Sequence, residues 1–88
     1  MAWTLRFSET AKGQLKKLDR STQQTLLRYL NRLLLETDNP RQRGKPLTAN
    51  LAGCWRYRVG DYRVVCEIED HQLMVLVVRV AHRRDVYR

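Results

Sequence analysis

Trp55-Arg56-Tyr57-Arg58-Val59-Gly60-Asp61-Tyr62-Arg63-Val64-Val65 decides how this chain is read. Its aromatic and β-branched residues suit a pleated surface, and Gly60-Asp61 sits where a two-residue hairpin loop with glycine first belongs. With that loop Val59 faces Tyr62, Arg58 lies directly opposite Arg63, and Arg56 follows two residues back on the same face. Three guanidinium groups then converge. Like charges opposed across a ladder are unfavourable, so a sequence selected for stability alone would tend to avoid this placement. A solvated polar face accounts for Arg56 and Arg58 but leaves the choice of Arg63 unexplained. The arrangement reads as an anion site.

Downstream, Tyr62 to Glu69 and Gln72 to Val80 are two further strands rich in Val, Ile and Leu, with Asp70-His71 as the turn between them. This register places Glu69 opposite Gln72 and Arg63 opposite Val78, so the period of two brings Val80 and His82 onto the face of Arg63. A single histidine near a strand end is more often a surface or packing residue than a catalyst. This one heads His82-Arg83-Arg84-Asp85-Val86-Tyr87-Arg88, which gathers acid, base and phosphate-binding groups. His71 falls in the turn at the far end of the last strand, which disfavours a two-histidine ribonuclease. The chain has no Ser, His, Asp set, no phosphate loop and no carboxylate cluster for a metal; Glu67, Glu69 and Asp70 read as hairpin solvation and turn chemistry. Cys54 and Cys66 form neither a disulfide framework nor a metal set, and their opposite strand parity argues against a bridge.

Upstream, Trp3 to Phe7 alternates apolar and polar residues as a half-buried strand does. Ser8 caps a short helix whose Ala11, Leu15 and Leu18 make one apolar stripe. Ser21 with Gln24 three residues on fits a capping box for a second helix, with Leu26, Leu27, Leu30, Leu33 and Leu34 on its inner face. Asn39-Pro40 ends it, and a loop of about a dozen residues through Gly44, Pro46 and Asn50 leads to the first hairpin strand. The order is α+β: an N-terminal strand, a two-helix antiparallel hairpin, then a three-stranded antiparallel meander.

The chain has 88 residues, enough for one domain, 1–88, with one modest core. Its net charge of +8, from 17 Lys and Arg against 9 Asp and Glu, favours an anionic partner, nucleic acid first. Thirteen of the cations are Arg, whose planar fork of donors matches phosphate geometry. An Arg-rich solvated surface is the plain alternative, and placement decides between them. No apolar run approaches the roughly 18 residues of a membrane span, and Met1 to Phe7 lacks a signal-peptide stretch. A cytoplasmic protein without membrane contact is expected.

Gly44-Lys45-Pro46-Leu47, Leu51-Ala52-Gly53, the hairpin quoted first, and Arg79-Val80-Ala81-His82-Arg83-Arg84-Asp85-Val86-Tyr87 together resemble the RelE branch of the RelE/ParE toxin superfamily. The resemblance spans nearly the whole chain. It implies a RelE-like fold with both helices on one sheet face and the RNA site on the other. It also implies a type II toxin that cleaves mRNA in the aminoacyl site of a translating ribosome. The reaction would be attack by a ribose 2′-hydroxyl on the adjacent phosphate, with no metal or other cofactor, and the partners would be a cognate antitoxin, the ribosome and mRNA. By this resemblance Arg56, Arg58 and Arg63 hold the phosphate and its developing charge, with Lys45 and Arg84 as further RNA-binding cations. Tyr87 is the implied base, and Arg83 the stabiliser or proton donor. His82 stands where the better-known branch has Lys and other members have His, which leaves two candidates for the base. Ala81 stands where Gly is common. The alternative within the superfamily is a ParE-like toxin that poisons DNA gyrase without cutting RNA.

Overall fold

The computed structural model describes residues 3–85. Strand β1 (Thr4–Phe7) leads into helices α1 (Glu9–Lys16) and α2 (Arg20–Glu36), followed by strands β2 (Lys45–Pro46), β3 (Trp55–Val59), β4 (Tyr62–Glu69) and β5 (Met74–His82). The expected α+β order holds. The sheet order is β1-β5-β4-β3-β2, with β1 parallel to β5 and every other pair antiparallel. The helices cover one face: Ala11, Leu26, Leu30 and Leu33 pack on Tyr57, Val59, Val64, Cys66, Val75, Val77 and Val80. No helix among the described residues is long and apolar enough to cross a membrane.

Three expectations are corrected by local chemistry. The second helix is capped by Asp19, not Ser21: the Asp19 carboxylate accepts from the Thr22 backbone N–H at 3.3 Å, and the helix opens at Arg20. A carboxylate at the positive end of the helix answers both an orphan donor and the dipole, so it outcompetes the hydroxyl two residues on. The connection from the helices is not a plain loop. It contains a 3-10 turn at Pro40–Gln42, the short β2, and a second 3-10 turn at Ala49–Leu51. Pro46 is tolerated because β2 is an edge strand, where a missing N–H leaves no ladder bond unmade.

The third correction matters most for the site. The Gly60-Asp61 hairpin forms as read, with Gly60 at φ +59, Val59 paired to Tyr62 and Arg58 to Arg63. The next turn, however, takes four residues, Asp70 to Gln72 in a 3-10 turn with Leu73 at φ +48, so Glu69 pairs with Met74 and not Gln72. A two-residue lengthening keeps strand parity. A bulge then reverses it: Val65 pairs with Arg79 while Cys66 pairs with Val77, leaving Val78 as the extra residue. The helices hold this bulge in place. The Ser8 backbone N–H donates to the Val77 carbonyl at 2.8 Å. The Gln14 side-chain oxygen accepts from the Val80 N–H at 2.6 Å. Arg63 therefore faces Ala81, not Val78, and the face of each residue after 78 is opposite to the one a strict period of two assigns.

Candidate nucleic-acid interface

On the sheet face away from the helices, cross-strand pairing lines residues up in rows. Lys45 pairs with Arg56, Arg56 with Val65, and Val65 with Arg79, so one row runs across β2, β3, β4 and β5 as Lys45, Arg56, Val65, Arg79. A second row runs Arg58, Arg63, Ala81. Paired residues project to the same side of a sheet. Five cations thus share this face, and neither row contains an acid. Val65 is 1 % exposed and makes an apolar floor between Arg56 and Arg79.

Arg63 explains how opposed charges are accommodated. It is 9 % exposed, and its Nη1 donates to the carbonyls of Gly60 and Tyr62, each at 3.0 Å. The guanidinium folds back on the turn it belongs to, while Arg58 across the ladder is exposed. A hydrogen-bonded guanidinium tied to carbonyls is oriented at little further entropic cost. Arg63 thereby stiffens the hairpin tip and keeps its charge on the face.

The bulge brings Arg79 into the first row and sends His82 to the other side. His82 was expected to share the face of Arg63; instead it pairs with Tyr62 on the helix side of the sheet, ring against ring edge-on at 5.5 Å. Its Nδ1 accepts the Arg84 backbone N–H at 3.3 Å. A neutral imidazole that accepts at Nδ1 carries its proton at Nε2. The turn that follows is pinned to the hairpin tip: Arg83 donates its backbone N–H to the Asp61 carbonyl at 2.7 Å, and its Nε lies 3.9 Å from the Asp61 carboxylate. The Asp85 N–H returns to the His82 carbonyl at 2.8 Å. Arg79 Nη2 donates to the Asp85 carbonyl at 2.9 Å, so the end of this turn lies against the first basic row. Arg83 and Arg84 are exposed. Tyr87 lies outside the described residues.

Lys45, Arg56, Arg58 and Arg63 therefore share one sheet face, with Arg83 and Arg84 in the turn that closes onto the same end of the hairpin. The residue that sequence reasoning missed is Arg79. Its signal was a single charge inside the apolar run Val77-Val78-Arg79-Val80, but only the bulge tells which face it takes. Two buried titratable groups, Tyr57 and Cys66, belong to the core. Burial pushes the Tyr57 phenol up, and its hydroxyl donates to the Pro40 carbonyl at 2.6 Å. Burial likewise raises the Cys66 thiol, and neither cysteine is in a disulfide. No group of three His, Cys, Asp or Glu able to hold a metal occurs among the described residues.

Comparison with known proteins gives a consistent answer. Residues 5–87 match the family model described as the ParE toxin of the type II toxin-antitoxin system, parDE. The chain is 36% identical over 88 residues to Toxin RelG of Mycobacterium tuberculosis, covering 100% of this chain and 99% of that protein. It is 43% identical to Toxin RelE of the same organism over 51 residues, which is 58% of this chain and 53% of that one. Among solved structures, the toxin-antitoxin complex RelBE2 from M. tuberculosis is similar with a TM-score of 0.81 and 34% identity, over 94% of this chain and 93% of that one. The isolated E. coli RelE toxin shares the fold, with a TM-score of 0.73 at 24% identity over 98% and 92% of the two chains.

Proposed function

The chain belongs to the RelE/ParE superfamily of type II toxin-antitoxin toxins, and from that premise we propose that residues 1–88 form one toxin domain that cleaves mRNA on the ribosome. The observation that carries this reading is the basic face opposite the helices: Lys45, Arg56 and Arg79 in one row and Arg58 with Arg63 in the next, neither row containing an acid. Such a face meets the needs of a phosphodiester passing through a charged pentacoordinate state.

In the proposed reaction a ribose 2′-oxygen attacks the adjacent phosphorus while its proton passes to a base. The bond from phosphorus to the 5′-oxygen breaks, and that oxygen takes up a proton. The products are a 2′,3′-cyclic phosphate and a 5′-hydroxyl. Arg56, Arg58 and Arg63 stabilise the added charge, with Lys45 and Arg84 holding flanking phosphates. Tyr87 is the base and Arg83 the stabiliser or proton donor of the leaving oxygen. His82, engaged through Nδ1 with Arg84, sets the turn that holds Arg83 and Arg84. Base and acid are supplied late and partly by position, so the ribosome contributes orientation that the free protein lacks. The cognate antitoxin is the second partner. The similar RelBE2 structure is a toxin-antitoxin complex, and an acidic or amphipathic antitoxin segment complements this surface.

The test is a reaction of purified protein with defined mRNA, naked or on programmed ribosomes, with the product ends identified. Ribosome-bound mRNA cut to a cyclic phosphate and a 5′-hydroxyl, with naked mRNA nearly intact, is expected. Fragments with 5′-phosphates would refute the 2′-hydroxyl mechanism. The matched family model bears the ParE description, which favours one second reading, a gyrase poison. Gyrase-dependent breaks in plasmid DNA with mRNA left whole would establish that reading in place of the first.

A further inference from the structure

Beside the first basic row lies a cleft of about 460 Å³. One wall is Lys45, Arg56 and Arg79; the other is the 47–51 segment, with Thr48 and Asn50 among its lining residues. The volume falls within the range of small-ligand sites. We propose that this cleft receives the unstacked base of one RNA nucleotide flanking the cut, and that Thr48 and Asn50 make it a determinant of where the toxin cuts. The proposal rests on the mRNA reading and adds to it a base-reading subsite distinct from phosphate binding.

Three observations carry it. The first is the mixture of groups. Leu47 and Leu51 are half-buried in the wall, while the Thr48 and Asn50 side chains are exposed. A phosphate alone has no use for an apolar wall; a base has a flat apolar face and a polar edge. Guanidinium planes such as those of Arg56 and Arg79 are also surfaces on which bases stack. The second is the hydrogen-bonding inventory. Lys and Arg only donate, whereas the Asn amide and the Thr hydroxyl both donate and accept, so Asn50 and Thr48 are the side chains of the cleft able to read a mixed base edge. The cationic wall favours bases rich in acceptors.

The third is the backbone. Ala49 takes φ +57, a left-handed conformation disfavoured for any residue with a Cβ. Thr48 is the cap of the 3-10 turn at Ala49–Leu51, but its side chain makes no capping bond. A turn held in a disfavoured conformation, with its cap hydroxyl uncommitted to the turn, is shaped for something other than its own stability. It stands directly across the cleft from the phosphate row.

The experiment uses RNA trinucleotides in which 2′-methoxy groups block cleavage, intact or abasic at each position in turn, titrated into the purified full chain. Loss of the base at one position should weaken binding to wild type by about tenfold, the scale of one stacked base. Loss at the other positions should matter little. In the double variant Thr48→Val/Asn50→Ala, intact and abasic RNA should bind within about threefold of each other. Arg28→Ala, on the outer helix face, should keep the wild-type difference. Equal binding of intact and abasic RNA to wild type overturns the proposal, whatever the variants do. A base preference without any cleavage on ribosomes would sink the mRNA reading and leave the subsite standing. On ribosomes, the double variant should redistribute cut sites; an unchanged cut-site pattern counts against the subsite.

Discussion

Arg79 is where a single residue says most about this site. It enters the basic row only because Val78 is an extra residue, and its guanidinium ties the row to the turn after β5. We expect Arg79→Ala and Arg63→Ala each to lower single-turnover cleavage on ribosomes by on the order of a hundredfold, the usual cost of losing an oriented donor at a charged transition state. Arg28→Ala, on the exposed face of α2, should stay within about twofold. Equal small effects in all three would move the site off this face. For the tail, the dependence of the cleavage rate on pH separates the roles of the two candidate bases. Tyr87→Phe should abolish the ascending limb of rate against pH, whereas His82→Ala should lower the rate without removing that limb. The reverse assignment would make His82 the base. Gly44 is a purely structural residue. It sits at φ +78, and an added Cβ would drive into the Arg56 carbonyl oxygen and come within 2.7 Å of Trp55 Nε1. Gly44→Ala should cost about 2 kcal/mol or more in chemical denaturation; an unchanged midpoint would contradict the close approach of this loop to β3.

At the scale of elements, the polar anchors that frame the helices and turns make the fold sensitive to acid. Hydrogen bonds from the Thr22 side chain and backbone hold the Asp19 carboxyl below its usual range, and the Arg41 guanidinium does the same for Asp70 through two bonds of 2.9 and 3.0 Å. A carboxyl lowered in the folded state contributes stability in full above its unfolded value near 3.9 and loses it as pH falls through the folded value. Asp19→Asn keeps a capping oxygen and cannot be protonated. Its denaturation midpoint should therefore fall less than wild type between pH 6 and pH 2.5; an identical fall would show that this cap carries none of the acid sensitivity. The elements also mark how far sequence reading reached. The Gly60-Asp61 hairpin and the opposition of Arg58 to Arg63 were legible because turn length sets register locally. β5 was not: nothing in Met74 to His82 announces that Val78 is extra, since the bulge is held by Ser8 and Gln14 from another part of the chain. His82 was misplaced and Arg79 missed for that one reason. β2 was hidden because two residues carry no periodicity, and the capping-box pattern of Ser21 and Gln24 masked the Asp19 carboxylate, which is the cap the helix uses.

At the scale of the molecule, the helices and sheet divide the work. One sheet face, packed on α1 and α2, supplies the core; the other carries the cations and the cleft. Five cations on this one face of a chain with net charge +8 favour encounter with a polyanion. The charge does not tell RNA from DNA, and the superfamily fold hosts both kinds of toxin, so the central claim is chemical. The most direct test is to map mRNA ends across the transcriptome of cells expressing the toxin, with and without a block to translation initiation, while scoring gyrase-linked DNA breaks. New mRNA ends inside coding regions that vanish when initiation is blocked, with DNA intact, are the predicted result. Gyrase-linked breaks with unaltered mRNA ends would contradict it.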